Sequence, residues 1–143
     1  MTEPASHLDA GSAGVWVIDA NNKLYNRQGT YQDSESISES VTQSATQPWP
    51  VSGTSWILVH KPPGNVTIRT VSSGRNVVVV VDDSGRVWIR LGVGPDTPGG
   101  VSWVQILGVM WQVEVYETDD VIVLWGLDRN VPTHGIYYNV IYK

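Results

Sequence analysis

A chain of 143 residues, 41% of them apolar, is the size of one domain and has enough hydrophobic matter for a core. Its net charge of −5, with no run of Lys or Arg, excludes a phosphate-neutralising surface, so neither nucleic acid nor an anionic membrane is an expected partner. The absence of cysteine excludes disulfides and thiolate metal sites, and no apolar stretch nears the roughly 20 residues that cross a bilayer.

Residues 1–14 are polar and small, with neither the basic nor the apolar region of a signal peptide, and are expected to form a flexible N-terminal segment. From residue 15 onward the pattern is that of strands separated by turns. Residues 15–19 form a short apolar strand, Asn21-Asn22 a turn, and 24–27 an alternating strand. The segment 30–47 interrupts the pattern: Ser or Thr stands at every even position from Ser34 to Thr46. This reads as a solvated, acidic loop, in which Ser36-Ile37-Ser38-Glu39 makes Ser36 a candidate phosphorylation site. Trp49 follows between Pro48 and Pro50, placed either to cap the core or to anchor a ligand.

Strands are predicted next at 56–60, 66–71, 77–81, 87–91, 103–107, 111–116, 121–127 and 136–142. The five consecutive valines of 77–81 predict a strand buried on both faces. About ten short strands at regular spacing imply an all-β fold, a propeller or, alternatively, a β-sandwich.

The strands repeat. Val17-Ile18-Asp19, Tyr25, Arg27 and Gly29 align with Val80-Val81-Asp82, Trp88, Arg90 and Gly92 at a single offset. Trp56 then aligns with Trp103 at a shorter offset, because the first copy holds the insertion. A degraded third copy starts at Val123-Leu124-Trp125-Gly126-Leu127-Asp128, with Tyr138 expected in the place of Trp88 and Val140 in that of Arg90. The unit is about 46–47 residues, the length of a four-stranded propeller blade.

The run Val81-Asp82-Asp83-Ser84-Gly85-Arg86-Val87-Trp88-Ile89-Arg90-Leu91-Gly92, followed by Pro98-Gly99-Gly100-Val101-Ser102-Trp103-Val104-Gln105-Ile106, resembles the tectonin repeat. The resemblance implies three blades, at about 15–62, 63–108 and 109–143, in a partial propeller. In family terms an innermost strand is missing at the front and an outermost one at the back. Three blades cannot close a ring of the usual four to eight, so the expectation is either a piece of a larger propeller or a ring completed by association of copies.

The repeated Asp suits a turn, and the repeated Trp and Arg suit stacking between blades. Trp49, Trp88, Arg27 and Arg90 are also the candidate ligand contacts. No enzyme activity, metal or cofactor is predicted. His7, His60 and His134 lack metal-ligand spacing, and the adjacent Asp82 and Asp83 would point to opposite faces of a strand. Asn65-Val66-Thr67 is a glycosylation sequon that matters only in a secreted chain.

The resemblance implies a non-catalytic scaffold that binds protein partners in intracellular trafficking or autophagy, placed in the cytoplasm. The alternative it implies is a lectin, which would be extracellular and bind a glycan through Trp and Tyr faces.

Overall fold

In a computed structural model, residues 1–32, 52–130 and 135–143 are described. Ser36, Trp49, His134 and most of the 30–47 insertion lie outside them. Every regular element among the described residues is a strand, and the strands form three antiparallel sheets.

The first sheet contains β1 (Ala5–Gly11), β2 (Gly14–Asp19), β3 (Leu24–Arg27) and β4 (Trp56–Val59), in that order. The second contains β5 (Ile68–Ser73), β6 (Val78–Asp82), β7 (Val87–Leu91) and β8 (Ser102–Ile106), again in order. The third has β9 (Met110–Glu117), β10 (Val121–Asp128) and β11 (Ile136–Tyr142). Each sheet is a propeller blade, and each stacks on the next. β1 and β2 meet β5, and β5 and β6 meet β9.

Strand alternation gives each blade two faces. Trp16, Ile18, Leu24 and Val59 form the rear face of blade 1 and pack on Val71, Val78, Val80 and Trp88 of blade 2. The other residues of the valine run, Val77, Val79 and Val81, face the opposite way with Val87 and Ile89. They pack on Val113, Ile122 and Leu124 of blade 3. The valine run is buried throughout because it is the middle of a three-blade stack.

The N-terminal segment departs from the expectation of a flexible tail. Residues 5–11 pair antiparallel with β2, from Ala5↔Asp19 to Gly11↔Gly14, and supply the strand expected to be missing at the front. The polar composition misleads because this strand is held by hydrogen bonds to its neighbours. Ser6 Oγ donates to the Ile18 carbonyl at 3.0 Å, and Asp9 Oδ2 accepts the Ser73 amide of blade 2 at 2.6 Å. The Ser12-Ala13 turn then docks on blade 2, with the Ala13 amide 2.8 Å from the Gly74 carbonyl. The approach is so close that a Cβ on Gly11 would lie 2.1 Å from the Ser73 carbonyl oxygen. At the back, the third sheet has three strands among the described residues.

The third copy is shifted by one residue from its expected alignment. Trp88 stands opposite Val80, and the residue opposite the matching Gly126 is Tyr137, not Tyr138. Asn139, opposite Leu124, therefore takes the place of Arg90, and Val140 does not. A one-residue slip reverses faces along a strand, so Tyr138 looks out of the stack.

Candidate binding surfaces

The repeated residues build one device twice. Arg90 lies over the Trp103 ring at 5.2 Å, while its Nε and Nη2 donate to the Gly99 and Gly100 carbonyls at 2.9 and 3.2 Å. Arg27 lies over Trp56 at the same 5.2 Å and donates to the Ser52 and Gly53 carbonyls at 2.8 and 3.3 Å. The loop glycine is required on two counts. Gly53 and Gly100 both have φ of 68°, and a Cβ would meet the arginine Cγ at 2.6 and 2.8 Å. The device therefore ties the third strand of a blade to the loop leading into the fourth.

Asp82 organises the turn after β6. Its Oδ1 accepts the amides of Ser84 and Arg86 at 2.9 and 3.0 Å, and its Oδ2 accepts Arg86 Nε at 2.8 Å and Trp88 Nε1 at 3.1 Å. Burial alone would raise the pKa of this carboxyl, but the indole and Arg86 donors outweigh it and hold it below the ordinary carboxylate value. Asp19, its counterpart, accepts the Asn21 and Lys23 amides through Oδ1 at 2.9 and 2.8 Å, but its buried Oδ2 has no hydrogen-bond partner. Lys23 and Tyr25 stand where blade 2 has Arg86 and Trp88, and they do not supply those donors.

Asn22, in the place of Gly85, has a φ of 59°, which asparagine tolerates. Its side chain does more than the sequence suggested. Asn22 Nδ2 donates to the Ile68 carbonyl at 2.6 Å, and Asn22 Oδ1 accepts the Ile68 amide at 2.9 Å, which clips blade 1 to the first strand of blade 2. Between blades 2 and 3 the Gly85 carbonyl accepts the Met110 amide at 2.8 Å. No periodicity announces such a side chain.

Two of the sequence candidates are enclosed. Trp88 is 6% exposed and Arg90 9%, both in the stack. Both are enclosed as part of the stack's architecture. Burial is also what lowers the Arg90 pKa, while leaving a guanidinium protonated at any physiological pH. Arg27 lies at the open front of blade 1, and Trp49 is outside the described residues.

The ends of the stack are the open surfaces. The front of blade 1 presents Leu8 and Leu58 beside Tyr25 and Trp56. The rear of blade 3 is more aromatic. Trp125 is 50% exposed and Tyr138 67%, with ring centroids 5.4 Å apart, and Tyr116 and Tyr142 extend the same face. A groove of about 250 Å³ runs beside Trp125, lined by Gln112, Glu114, Leu127 and Ile136. The sequence reading put Tyr138 in the place of Trp88, one residue out of register, and did not single out this face; the alternation of Val121, Val123, Trp125 and Leu127 along β10 was the signal for it.

A protein family described as Propeller matches residues 77–106, which are the strands β6, β7 and β8 with their turns. The mouse (Mus musculus) tectonin beta-propeller repeat-containing protein 1 is 38% identical over 60 residues. The blades are of the tectonin type. The matched stretch is 42% of this chain and 5% of the mouse protein, so this chain spans a small fraction of that relative. A chain of the crystal structure of Kap60 bound to yeast RCC1 (Prp20) superposes with a TM-score of 0.47 at 14% identity, covering 86% of this chain and 32% of that one. The match of family and blade gives the tectonin motif its physical content: Asp for the turn, Arg-x-Gly and Gly-x-x-Trp for the loop clamp, and alternating aliphatics for stacking.

Proposed function

We propose that this chain is a non-catalytic scaffold that binds protein partners in intracellular trafficking or autophagy, working in the cytoplasm. The observation that carries the reading is the rear face of blade 3, where Trp125, Tyr138, Tyr116 and Tyr142 are exposed together. Clustered exposed aromatics are the composition of interaction surfaces, where they give large contact area at low entropic cost. The trafficking and autophagy assignment rests on the tectonin resemblance.

Copies of the chain offer one partner for these faces. The front of blade 1 and the rear of blade 3 are the counterparts of surfaces that stack within the chain, and two copies joined head to tail would make six blades, within the usual range of about four to eight.

The test is proximity labelling in cells with the intact chain and with a Trp125→Glu, Tyr116→Glu variant, whose exposed sites should leave the fold intact, as circular dichroism would check. The expected result is a set of labelled trafficking or autophagy proteins that the variant loses. An unchanged set refutes the reading. A second reading, a lectin, is favoured by the Trp125–Tyr138 pair beside Gln112 and Glu114, since sugars stack on such rings and bond to such side groups. A glycan array that gives one defined sugar, lost with Trp125→Glu, would put it first.

A further inference from the structure

Blades 1 and 2 each close with a fourth strand, and these strands show what blade 3 lacks. β4 pairs with β3 in the register Arg27↔Trp56, and β8 pairs with β7 in the register Arg90↔Trp103. The fourth strand also reaches the preceding blade. Trp103 packs against the cluster that holds Val59, and its indole N–H donates to the His60 carbonyl at 2.7 Å.

The positions of blade 2 that correspond to Val59 and His60 are Ile106 and Leu107. Leu107 is 96% exposed. Beside it lies a hollow of about 50 Å³, lined by Val87, Ile106, Leu107, Tyr137 and Asn139 among others. On the other side of the hollow, β11 pairs with β10 along one edge, and no described strand pairs along the other. A bare edge next to an apolar hollow is a template for an added strand.

We propose that this edge and hollow bind one extended segment of a partner protein, which joins β11 antiparallel as the fourth strand of blade 3. Its pattern is set by the chain's own fourth strands, Trp56-x-x-Val59 and Trp103-x-x-Ile106. The aromatic residue stands opposite Asn139, covers Ile106 and donates to the Leu107 carbonyl. The aliphatic residue, three positions on, stands opposite Ile136 and covers it on the rear face. β4 and β8 are already paired in their own blades. Trp49 is flanked by prolines, which have no N–H for a ladder. Glu114 lines a groove with Ile136, and the chain carries a net charge of −5, so basic flanks suit the segment better than acidic ones.

This inference rests on the reading of the chain as a protein-binding module and names one site for it. The experiment titrates the intact chain with a synthetic peptide of residues 99–107, the chain's own β8 sequence, and follows backbone amides by NMR. Saturable shifts are expected in 136–142 and at Leu107. The same peptide with Trp103→Ala should bind about 30-fold more weakly, as for loss of a buried aromatic anchor. In the protein, Asn139→Arg restores the missing arginine and should tighten the unaltered peptide about two- to fivefold through the cation–π stack. The proposal is overturned if 136–142 do not shift, if the shifts lie on the open blade faces instead, or if both peptides bind alike. It is also overturned if those amides shift with protein concentration alone, because a second copy then fills the edge. Should the peptide fail while the Trp125→Glu, Tyr116→Glu variant still loses its cellular partners, only the strand-addition site falls.

Discussion

Replacing Asp82 with alanine should destabilise the fold by about 2 kcal/mol more than replacing Asp19, though the two residues occupy the same place in successive blades. Both carboxylates bond two turn amides through Oδ1, so those bonds are lost equally. The difference lies at Oδ2. In Asp82 it accepts the indole N–H of buried Trp88 and the guanidinium of Arg86. Leaving the indole donor unpartnered costs about 1–3 kcal/mol. The Arg86 side chain is 40% exposed and regains water, so the loss of that pair contributes about 0–1 kcal/mol. Asp19 Oδ2 is buried without a partner, so its removal also relieves a desolvation cost. Urea unfolding followed by tryptophan fluorescence measures both variants. The expected result is a lower midpoint for Asp82→Ala with an unchanged slope. Equal losses in the two variants would refute the assignment of the indole bond.

Because the Asp82 carboxyl titrates below its unfolded value of about 3.9, its stabilisation is complete above that pH and disappears as pH falls through the folded value. The stability gap between the natural chain and Asp82→Asn should therefore narrow on acidification below about pH 4, and a gap constant down to pH 2 would contradict this. Gly11→Ala forces a Cβ against the Ser73 carbonyl and should cost about 1–3 kcal/mol in thermal melts, whereas Gly94→Ala, with only Thr97 Oγ1 at 3.9 Å, should cost under about 0.5 kcal/mol. Tyr25→Trp should bring an indole N–H to Asp19 Oδ2, as Trp88 does for Asp82, and stabilise by about 1 kcal/mol. That gain should vanish in an Asp19→Ala background, and its persistence there would show that the indole bonds elsewhere.

Much of the fold was legible because stacking blades impose strict alternation. The ten strands expected from 15–19 to 136–142 all appear, and the valine run has the two buried faces that its composition demands. β1 was not legible in that way. Its Asp9, Ser6 and Gly11 take their meaning from Ser73 and Ile18, residues of other strands, and strand propensity does not carry such contacts. The two-residue turn between Gly11 and Gly14 was its one local signal.

The site was less legible than the fold. The conspicuous Arg90 recurs as Arg27 because both clamp a strand to the following loop, and the stack of blade 2 on blade 1 encloses Arg90 and Trp88. The open surfaces are the outer faces of the three-blade stack, so they depend on what lies against each blade and not on a motif. In the third copy Gly126, Tyr137 and Asn139 replace Val80, Trp88 and Arg90. With those anchors gone, sequence alignment slid by one residue and turned the aromatic face of β11 inward, where pairing with β10 turns it out.

Hydrogen exchange resolved by strand tests the three-blade stack with its sandwiched middle and open edge at β11. The slowest exchange is expected in β6 and β7 and much faster exchange in β11, although β7 and β11 hold the same place in their blades. Equal protection of β7 and β11 in the isolated chain, or rapid exchange across the valine run, would contradict it.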